Sequence, residues 1–146
     1  MTERSVEHAT FVVERTYEKP PERVFAAFAD PAAKAHWFGN VDLDFRVGGR
    51  ETGRSRPDDD AVHIYEARYH DIVPNERLVF TYEMHLDETL ISVSLATVQL
   101  EPDGTGTRMT FTEQSAFLDG HETPRGRERG WGGLLDALEI EIGRNP

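Results

Sequence analysis

The sequence contains no cysteine. This absence excludes disulfide scaffolds, thiolate zinc sites, iron–sulfur clusters and cysteine nucleophiles together. Long apolar runs are missing too, because no stretch approaches the roughly 18 consecutive apolar residues of a membrane-spanning helix. The residues that follow Met1 do not form the apolar core of a signal peptide. We therefore expect a cytoplasmic protein that does not contact a membrane.

Basic residues are few for the number of acidic ones. The chain has 16 lysines and arginines against 27 aspartates and glutamates, which gives a formal net charge of −11. Such a surface repels phosphate backbones, so we expect no nucleic-acid partner. The length of 146 residues fits one domain, which we assign to residues 1–146.

Patterns typical of metal sites and hydrolases are also missing. The six histidines show no HExxH pattern and no paired ligand spacing. The acidic segment 57–60 lacks the downstream glycine and glutamate of an EF-hand loop, which favours a solvated turn. Ser92, Ser94 and Ser115 lie outside a G-x-S-x-G motif. We therefore predict no metal site, no cofactor and no assigned catalytic residue.

Apolar periodicity and turn residues predict the order β-α-α-β-β-β-β-β-β-α. The predicted helices after the first strand are short, and proline in the first turn and an Asp30 cap favour them. The strand connections are short, so neighbouring strands should pair antiparallel, and Gly48-Gly49 predicts a two-residue hairpin. The predicted elements are a strand Thr10 to Glu18, helices Glu22 to Ala29 and Pro31 to Trp37, strands Val41 to Val47, Arg50 to Arg56, Val62 to Val73, Arg77 to His85, Leu90 to Glu101 and Thr107 to Ala116, and a helix Arg129 to Ile142.

The predicted last helix combines an apolar stripe with glycines. Trp131, Leu135 and neighbouring apolar residues share one face, and Gly130 and Gly133 lie along its flank. Each glycine in a helix interior costs roughly 1 kcal/mol relative to alanine, so stability alone does not explain them. They indicate room for a guest molecule, a close contact between helix and strand, or a helix that starts after them.

An antiparallel sheet with one solvated face needs a cover for the other face, and only the C-terminal helix is long enough. A curved sheet around a straight helix leaves a cavity. Glu113 continues the inward face of Met109 and Phe111, so it is either a polar anchor in the cavity or a solvent-exposed residue where the strand frays. The residues predicted to form the ligand-binding cavity are Trp37, Phe45, Tyr65, Tyr69, Phe80, Tyr82, Met84, Met109, Phe111, Glu113, Trp131, Gly133 and Leu135.

Several motifs resemble a known family. They are similar, in order and spacing, to bacterial proteins grouped as activator of heat-shock protein 90 ATPase homologue-like, in the START-like (SRPBCC) superfamily. The motifs are Glu14-Arg15-Thr16-Tyr17, Pro21-x-x-Val24-Phe25, Asp30-Pro31 through His36-Trp37-Phe38-Gly39, Phe45-Arg46-Val47-Gly48-Gly49, Val73-Pro74-x-Glu76-Arg77-Leu78-Val79-Phe80, Phe111 through Gly120, and Arg127-Glu128-x-Gly130-x-x-Gly133-Leu134-Leu135-Asp136.

The resemblance implies an α+β helix-grip fold: a curved six- to seven-stranded antiparallel sheet around a long C-terminal helix, with two short helices closing one end. The superfamily includes lipid and hormone binders, polyketide cyclases and chaperone activators, so function must rest on the site. We expect a binding protein for an apolar or aromatic small molecule of lipid, polyketide or flavonoid type, rather than an enzyme. The alternatives are a cyclase- or hydrolase-like enzyme that uses Glu113, and a stress-response protein with a chaperone or homodimer contact.

Overall fold

A computed structural model describes residues 3–56 and 61–144. The turn predicted at residues 57–60 lies outside the described residues. The predicted order of elements is confirmed, and most boundaries differ from prediction by a few residues. The elements are β1 (Val6–Tyr17), α1 (Pro21–Ala29), α2 (Pro31–Trp37), β2 (Val41–Leu43), β3 (Arg50–Ser55), β4 (His63–Val73), β5 (Arg77–Leu86), β6 (Thr89–Asp103), β7 (Gly106–Leu118) and α3 (Pro124–Arg144).

The strands form one antiparallel sheet in the order β1-β7-β6-β5-β4-β3-β2. β1, the first strand of the chain, lies beside β7, where Val13 pairs with Phe111. The two short helices follow β1 directly, and α3 packs against the inner face of the sheet, where the Tyr17 hydroxyl donates to the Leu135 carbonyl at 2.9 Å. This arrangement confirms the helix-grip architecture.

Alternation along the strands determines which side chains face α3. In β7, Met109, Phe111 and Glu113 are buried, whereas Arg108 and Gln114 are exposed. Successive side chains of a strand point to opposite faces, so the buried set forms one inner face. The core therefore lies between the sheet and the helices.

The short helices start within one residue of the predicted positions. Pro21 occupies the first turn of α1, and the Asp30 side chain accepts a hydrogen bond from the Ala32 amide at 3.1 Å, which caps α2. The first backbone N–H groups of a helix have no partner within the helix. The proline removes one such group, and the Asp30 cap satisfies another. Among the described residues, no helix is long and apolar enough to cross a membrane.

The two-residue turn predicted at Gly48-Gly49 is wrong, although β2 and β3 do pair antiparallel. β2 ends at Leu43, which pairs with Glu51, so the connection to β3 spans residues 44–49. Within it, the Gly49 amide donates to the Arg46 carbonyl at 2.8 Å, and a Cβ at Gly49 would lie only 2.0 Å from the Asp44 carbonyl oxygen. The chain folds back on itself here, which an extended strand through Val47 would not allow.

α3 begins earlier than predicted. It starts at Pro124 rather than Arg129, and the Thr123 hydroxyl accepts a hydrogen bond from the Gly126 amide at 3.0 Å. A threonine acceptor followed by proline is a favourable helix start. Gly130 and Gly133 consequently lie inside the helix, so a late start does not explain them.

Candidate functional site

A cavity of about 700 Å³ lies between the sheet and the first half of α3. Its lining comes from residues 38–40 after α2, from strands β2 to β6, from residues 121–122 before α3 and from α3 itself. Buried side chains form the inner part and exposed residues such as Asn40, Arg54 and His121 lie at the mouth. The lining residues are Phe38, Gly39, Asn40, Val41, Gly53, Arg54, Ser55, His63, Tyr65, Tyr82, Met84, Leu86, Ile91, His121, Glu122, Gly126, Arg127, Gly130, Trp131 and Leu134.

Glu113 lies behind this lining and is fully buried. Its carboxylate accepts hydrogen bonds from Tyr82 at 2.6 Å, Ser115 at 2.6 Å and Ser94 at 3.1 Å, and from the Arg127 guanidinium at 3.4 Å. A buried carboxylate needs such donors because the loss of hydration is costly. Of the two alternatives that the sequence left open, the structure shows the inward one, because β7 continues to Leu118 and Glu113 is buried.

Arg127 is the cation of this group, and sequence reasoning did not identify it. Its Nη1 donates to the Tyr82 hydroxyl at 2.9 Å, its Nη2 to Ser92 at 2.7 Å, and its Nε and Nη2 form a two-point contact with Glu122. Burial acts to lower the pKa of Arg127, but the Glu122 hydrogen bonds and nearby charges raise it on balance, so the guanidinium stays charged. We call this group the Glu113 cluster; it comprises Tyr82, Ser92, Ser94, Glu113, Ser115, Glu122, Arg127 and Trp131.

The hydroxyl of Tyr82 connects the cluster to the cavity wall. It donates to Glu113 and accepts from Arg127 at 2.9 Å and from the Trp131 indole at 3.0 Å. Burial raises the pKa of Tyr82, and the charge of Glu113 raises it further. The phenol is therefore neutral, and its one donor and two acceptor positions are used.

The neighbouring Tyr65 hydroxyl differs in this respect. Tyr65 also lines the cavity and is 8% exposed, and its ring lies 5.2 Å from that of Tyr82. Among the described residues, its hydroxyl has no hydrogen-bond partner. Burial raises the pKa of Tyr65 well above its usual value, and the charges of Glu51 and Glu113 contribute in the same direction. It is a neutral phenol with unused hydrogen-bonding capacity.

A second buried group links α2 to the sheet. Lys34 lies 2.7 Å from one oxygen of Glu51 and 2.8 Å from the other, and Tyr69 donates to Glu51 at 2.7 Å. The ammonium also lies 4.8 Å from the centre of the Phe38 ring. Burial lowers the pKa of Lys34, an effect that the charge of Glu51 opposes. We call these three polar residues, Lys34, Glu51 and Tyr69, the Lys34 cluster.

The predicted cavity residues are divided between the cavity and the core. Tyr65, Tyr82, Met84 and Trp131 line the cavity. Phe45 is partly buried and packs edge-on against Phe25 and Tyr69. The predicted residues buried in the surrounding core are Trp37, Tyr69, Phe80, Met109, Phe111 and Leu135, and Glu113 lies in its own cluster.

The helix glycines also divide into two groups. Gly130 lines the cavity, and a Cβ there would meet nothing within 4 Å. Gly133 has equally open surroundings but is exposed and is not part of the lining. A Cβ at Gly132 would make ordinary contact, 3.5 Å from Arg15 Nη2. Close packing of helix against strand therefore does not explain these glycines.

Potential metal ligands come together on the outer face of the sheet, away from the cavity. Glu66, Glu83 and His85 offer ligand atoms that all lie within 4.8 Å of one another. Glu66 and Glu83 are directly paired across β4 and β5 and both are exposed. Exposed carboxylates of this kind are ordinary on a solvated sheet face, so the group does not by itself constitute a metal site.

A model of the family described as activator of Hsp90 ATPase homolog 1-like protein matches residues 18–143. The chain belongs to this family. The activator of Hsp90 ATPase homolog 1-like family is START-like (SRPBCC), as the sequence motifs indicated, and such proteins include polyketide cyclase-like and ligand-binding members. The matched region contains both buried polar clusters. A search of curated proteins found no match.

Solved structures share the fold that this family assignment implies. Mll3558 from Rhizobium loti is 46% identical, with 94% of this chain and 99% of that chain covered and a TM-score of 0.91. An uncharacterized protein from Rhizobium leguminosarum is 45% identical, with coverage of 99% and 100% and a TM-score of 0.95. CV1439 from Chromobacterium violaceum is 28% identical, with coverage of 93% and 98% and a TM-score of 0.78.

Proposed function

We propose that the protein binds an apolar or aromatic small molecule of lipid, polyketide or flavonoid type between α3 and the sheet. The observation that carries this proposal is a cavity of about 700 Å³ whose inner wall combines apolar side chains with the Tyr82 and Arg127 polar groups. Ligand sites typically have volumes of roughly 300–1,000 Å³ and mostly apolar walls with a few polar groups. The volume and lining of this cavity support the proposal.

Glu113 supports binding better than turnover. A general base must approach the proton that it removes to within about 3 Å. The Glu113 carboxylate is fully buried, and its two oxygens accept from Tyr82, Ser94, Ser115 and Arg127. A ligand in the cavity meets Tyr82 and Arg127 first. We assign Glu113 to holding these two residues in place.

Tryptophan fluorescence provides a direct test, because one of the two tryptophans lines the cavity. Trp131 is part of the wall, whereas Trp37 is buried against Phe28 and donates to the Ala27 carbonyl at 2.9 Å. We expect a flavanone, a hydroxylated anthraquinone or a long-chain fatty acid to cause a saturable change in emission. The Trp131→Phe variant should lose most of this change.

A matched pair of glycine substitutions locates the binding site. A leucine at Gly130 would occupy space at the cavity, whereas a leucine at Gly133 on the same helix would extend into solvent. We expect Gly130→Leu to weaken binding at least tenfold and Gly133→Leu to leave it unchanged, with both proteins folded by circular dichroism. Absence of saturable binding by every compound, or equal losses in the two variants, would contradict the proposal.

A further inference from the structure

Four aromatic side chains in the cavity wall form a closed circuit of ring contacts. The ring centroids lie 5.1 Å apart for Phe38 and Tyr65, 5.2 Å for Tyr65 and Tyr82, 6.3 Å for Tyr82 and Trp131, and 5.9 Å for Trp131 and Phe38. Adjacent ring planes are inclined by between 39° and 65°, so the rings meet at an angle instead of stacking flat. All four residues line the cavity, and we call them the aromatic circuit.

The faces of these rings are acceptors for positive charge. The π electrons make the face of an aromatic ring negative, and a cation within about 6 Å of the centroid is attracted to it. Adjacent centroids of the aromatic circuit are separated by about this distance, so one cation can act on more than one ring. The attraction is largest for tryptophan and increases when the cation leaves water. The four rings are buried or only partly exposed, so a cation held against them is largely desolvated.

Hydrogen bonds at their edges hold two of the rings in place. The Trp131 indole N–H donates to the Tyr82 hydroxyl at 3.0 Å, and that hydroxyl donates to Glu113 at 2.6 Å. The polar groups of both side chains are therefore used within the protein, and the remaining surface of these two residues is aromatic carbon. A site whose rings are already oriented loses little conformational entropy when a ligand binds.

Two cations of the protein already lie near rings of the aromatic circuit. The Lys34 ammonium is 4.8 Å from the centroid of Phe38, and the guanidinium carbon of Arg127 is 5.5 Å from the centroid of Tyr82. Lys34 is not part of the cavity lining. Each cation is paired with carboxylates in its own cluster, so neither presents an unmatched positive charge to a ligand.

The formal charge around the aromatic circuit is negative. In the Glu113 cluster, the carboxylates of Glu113 and Glu122 are matched by one guanidinium, that of Arg127, which leaves one uncompensated negative charge. In the Lys34 cluster, one ammonium and one carboxylate compensate each other. The other arginine of the lining, Arg54, is exposed at the mouth, where water screens its charge. The inner part of the cavity therefore favours a ligand cation and disfavours an anion.

We propose that the aromatic circuit binds an organic cation, so that the ligand of the cavity is an apolar molecule carrying a quaternary or tertiary ammonium group. This inference rests on the proposed function, because it requires a ligand between α3 and the sheet. Alkylated ammonium groups suit ring faces, which offer negative charge without requiring a hydrogen-bond donor. The apolar part of the ligand would contact Met84, Ile91 and Leu134, which line the same cavity.

Three probes of one shape separate charge from size. They are benzyltrimethylammonium, neopentylbenzene, which is its neutral carbon isostere, and phenylmethanesulfonate, which is an anion. Binding is measured by calorimetry and by amide shifts for the wild type, for Phe38→Leu, which removes one ring of the circuit, and for Met84→Leu. Met84→Leu is the matched control, because it introduces the same residue at a lining position outside the circuit.

In the wild type and in Met84→Leu, we expect the ammonium to bind about tenfold more tightly than neopentylbenzene, and the sulfonate to bind most weakly. In Phe38→Leu, this preference should decrease to about threefold, because one of four rings is lost. Neopentylbenzene should bind Phe38→Leu and Met84→Leu about equally. A general loss of structure would weaken both probes, so the ratio of the two affinities distinguishes it from the loss of a ring.

Fluorinated tryptophan and a charge substitution test the same site without removing a side chain. The chain has two tryptophans and only Trp131 lines the cavity, so replacing both by 5-fluoro- or 5,7-difluorotryptophan makes one cavity face less negative. We expect the ammonium to bind about twofold more weakly for each fluorine. Glu122→Gln removes the uncompensated charge while it keeps an acceptor for Arg127, and it should also weaken ammonium binding. Neither change should weaken binding of neopentylbenzene.

The contrary outcomes are distinct. Equal or tighter binding of neopentylbenzene, tightest binding of the sulfonate, or no binding of the ammonium by a protein that binds the larger compounds would overturn the cation site and leave the proposed function standing. An ammonium preference unchanged in Phe38→Leu and in the fluorinated proteins would overturn its assignment to the aromatic circuit. Absence of binding by all three probes and by the larger compounds would remove both proposals.

Discussion

The Tyr82 hydroxyl donates to Glu113 at 2.6 Å while accepting from Arg127 at 2.9 Å, so one phenol joins a strand carboxylate to a helix guanidinium. The contact links β5, β7 and α3, and Ser92 and Ser94 bring in β6. Because these groups have lost hydration, their energies depend on one another. The cluster thus holds α3 at a fixed position over the sheet and closes the inner end of the cavity.

Removal of the Arg127 guanidinium should destabilise the fold strongly. Arg127→Met would leave Glu113 buried with hydroxyl donors but without a cation, and would also free Glu122. Breaking a buried ion pair from one side typically costs about 3–5 kcal/mol. We expect a decrease of this size in the free energy of unfolding, measured by urea denaturation with circular dichroism.

The control for this experiment is Arg129→Met on the same helix. Arg129 is exposed, so its replacement should change the free energy of unfolding by no more than about 0.5 kcal/mol. An effect of Arg127→Met as small as that of Arg129→Met would show that the Glu113 cluster does not hold the helix in place.

The Lys34 cluster should respond to single and double substitution differently. Lys34→Met leaves Glu51 buried with only Tyr69 as a hydrogen-bond donor, and we expect a loss of about 3 kcal/mol in unfolding free energy. Lys34→Met combined with Glu51→Gln removes both charges while Tyr69 keeps an acceptor, so most of this loss should be recovered.

Urea denaturation of the two variants and of the Glu51→Gln single variant completes a double-mutant cycle. Lys19→Met, at the other lysine of the chain, which is only half-buried, is the control and should have little effect. A double variant that is less stable than Lys34→Met would refute the view that an uncompensated charge causes the loss.

Sequence patterns predicted the sheet but only part of each polar cluster: Tyr82, Glu113 and Trp131 in the Glu113 cluster, and Tyr69 in the Lys34 cluster. The inward position of Glu113 follows from the period of two in β7, a local property. Its cation could not be predicted, because Arg127 comes from a helix whose rotation and start depend on packing over the whole sheet. Glu51 was missed for a related reason: Arg50–Ser55 appeared polar throughout, although alternation with Gly53 places Glu51 on the inner face. The burial of Lys34 could not be predicted either, because lysine is an ordinary residue in a helix.

The connection before β3 and the glycines show a second limit of sequence patterns. Val41 to Val47 alternates well, yet β2 stops at Leu43 because the chain turns back on itself before Gly49. For Gly130 and Gly133, propensity indicated an unusual helix but not the direction that each residue faces. The structure places Gly130 at the cavity and Gly133 in solvent.

Alkaline titration should detect the burial of all the tyrosines. The chain has four tyrosines, Tyr17, Tyr65, Tyr69 and Tyr82, and burial is the largest cause of the raised pKa in each. The folded state therefore keeps protons that the unfolded state releases above about pH 10. This stabilising contribution is fully present below pH 10 and is lost as the pH rises, by up to about 1.4 kcal/mol per pH unit for each tyrosine.

The lowered pKa of Lys34 has the opposite effect on the pH dependence of stability, because the folded state releases this proton more readily than the unfolded state. Lys34 is a single group, so we expect the effect of the four tyrosines to dominate. We expect little tyrosinate absorbance at 295 nm until the protein unfolds, and then a cooperative rise that coincides with the loss of circular dichroism. A gradual rise centred near pH 10 in the folded protein would contradict the burial of these phenols.

Alanine substitutions of two glycines should have effects of opposite sign. A Cβ at Gly133 meets nothing within 4 Å, and the residue lies inside α3, so Gly133→Ala should stabilise the protein by about 0.5–1 kcal/mol. In a domain of this size that corresponds to a melting temperature about 2–4 °C higher. A Cβ at Gly49 would lie 2.0 Å from the Asp44 carbonyl oxygen, so Gly49→Ala must distort the connection between β2 and β3 and should lower the melting temperature. Calorimetry of both variants checks the pair, and a lower melting temperature for Gly133→Ala would mean that the space beside α3 is not open.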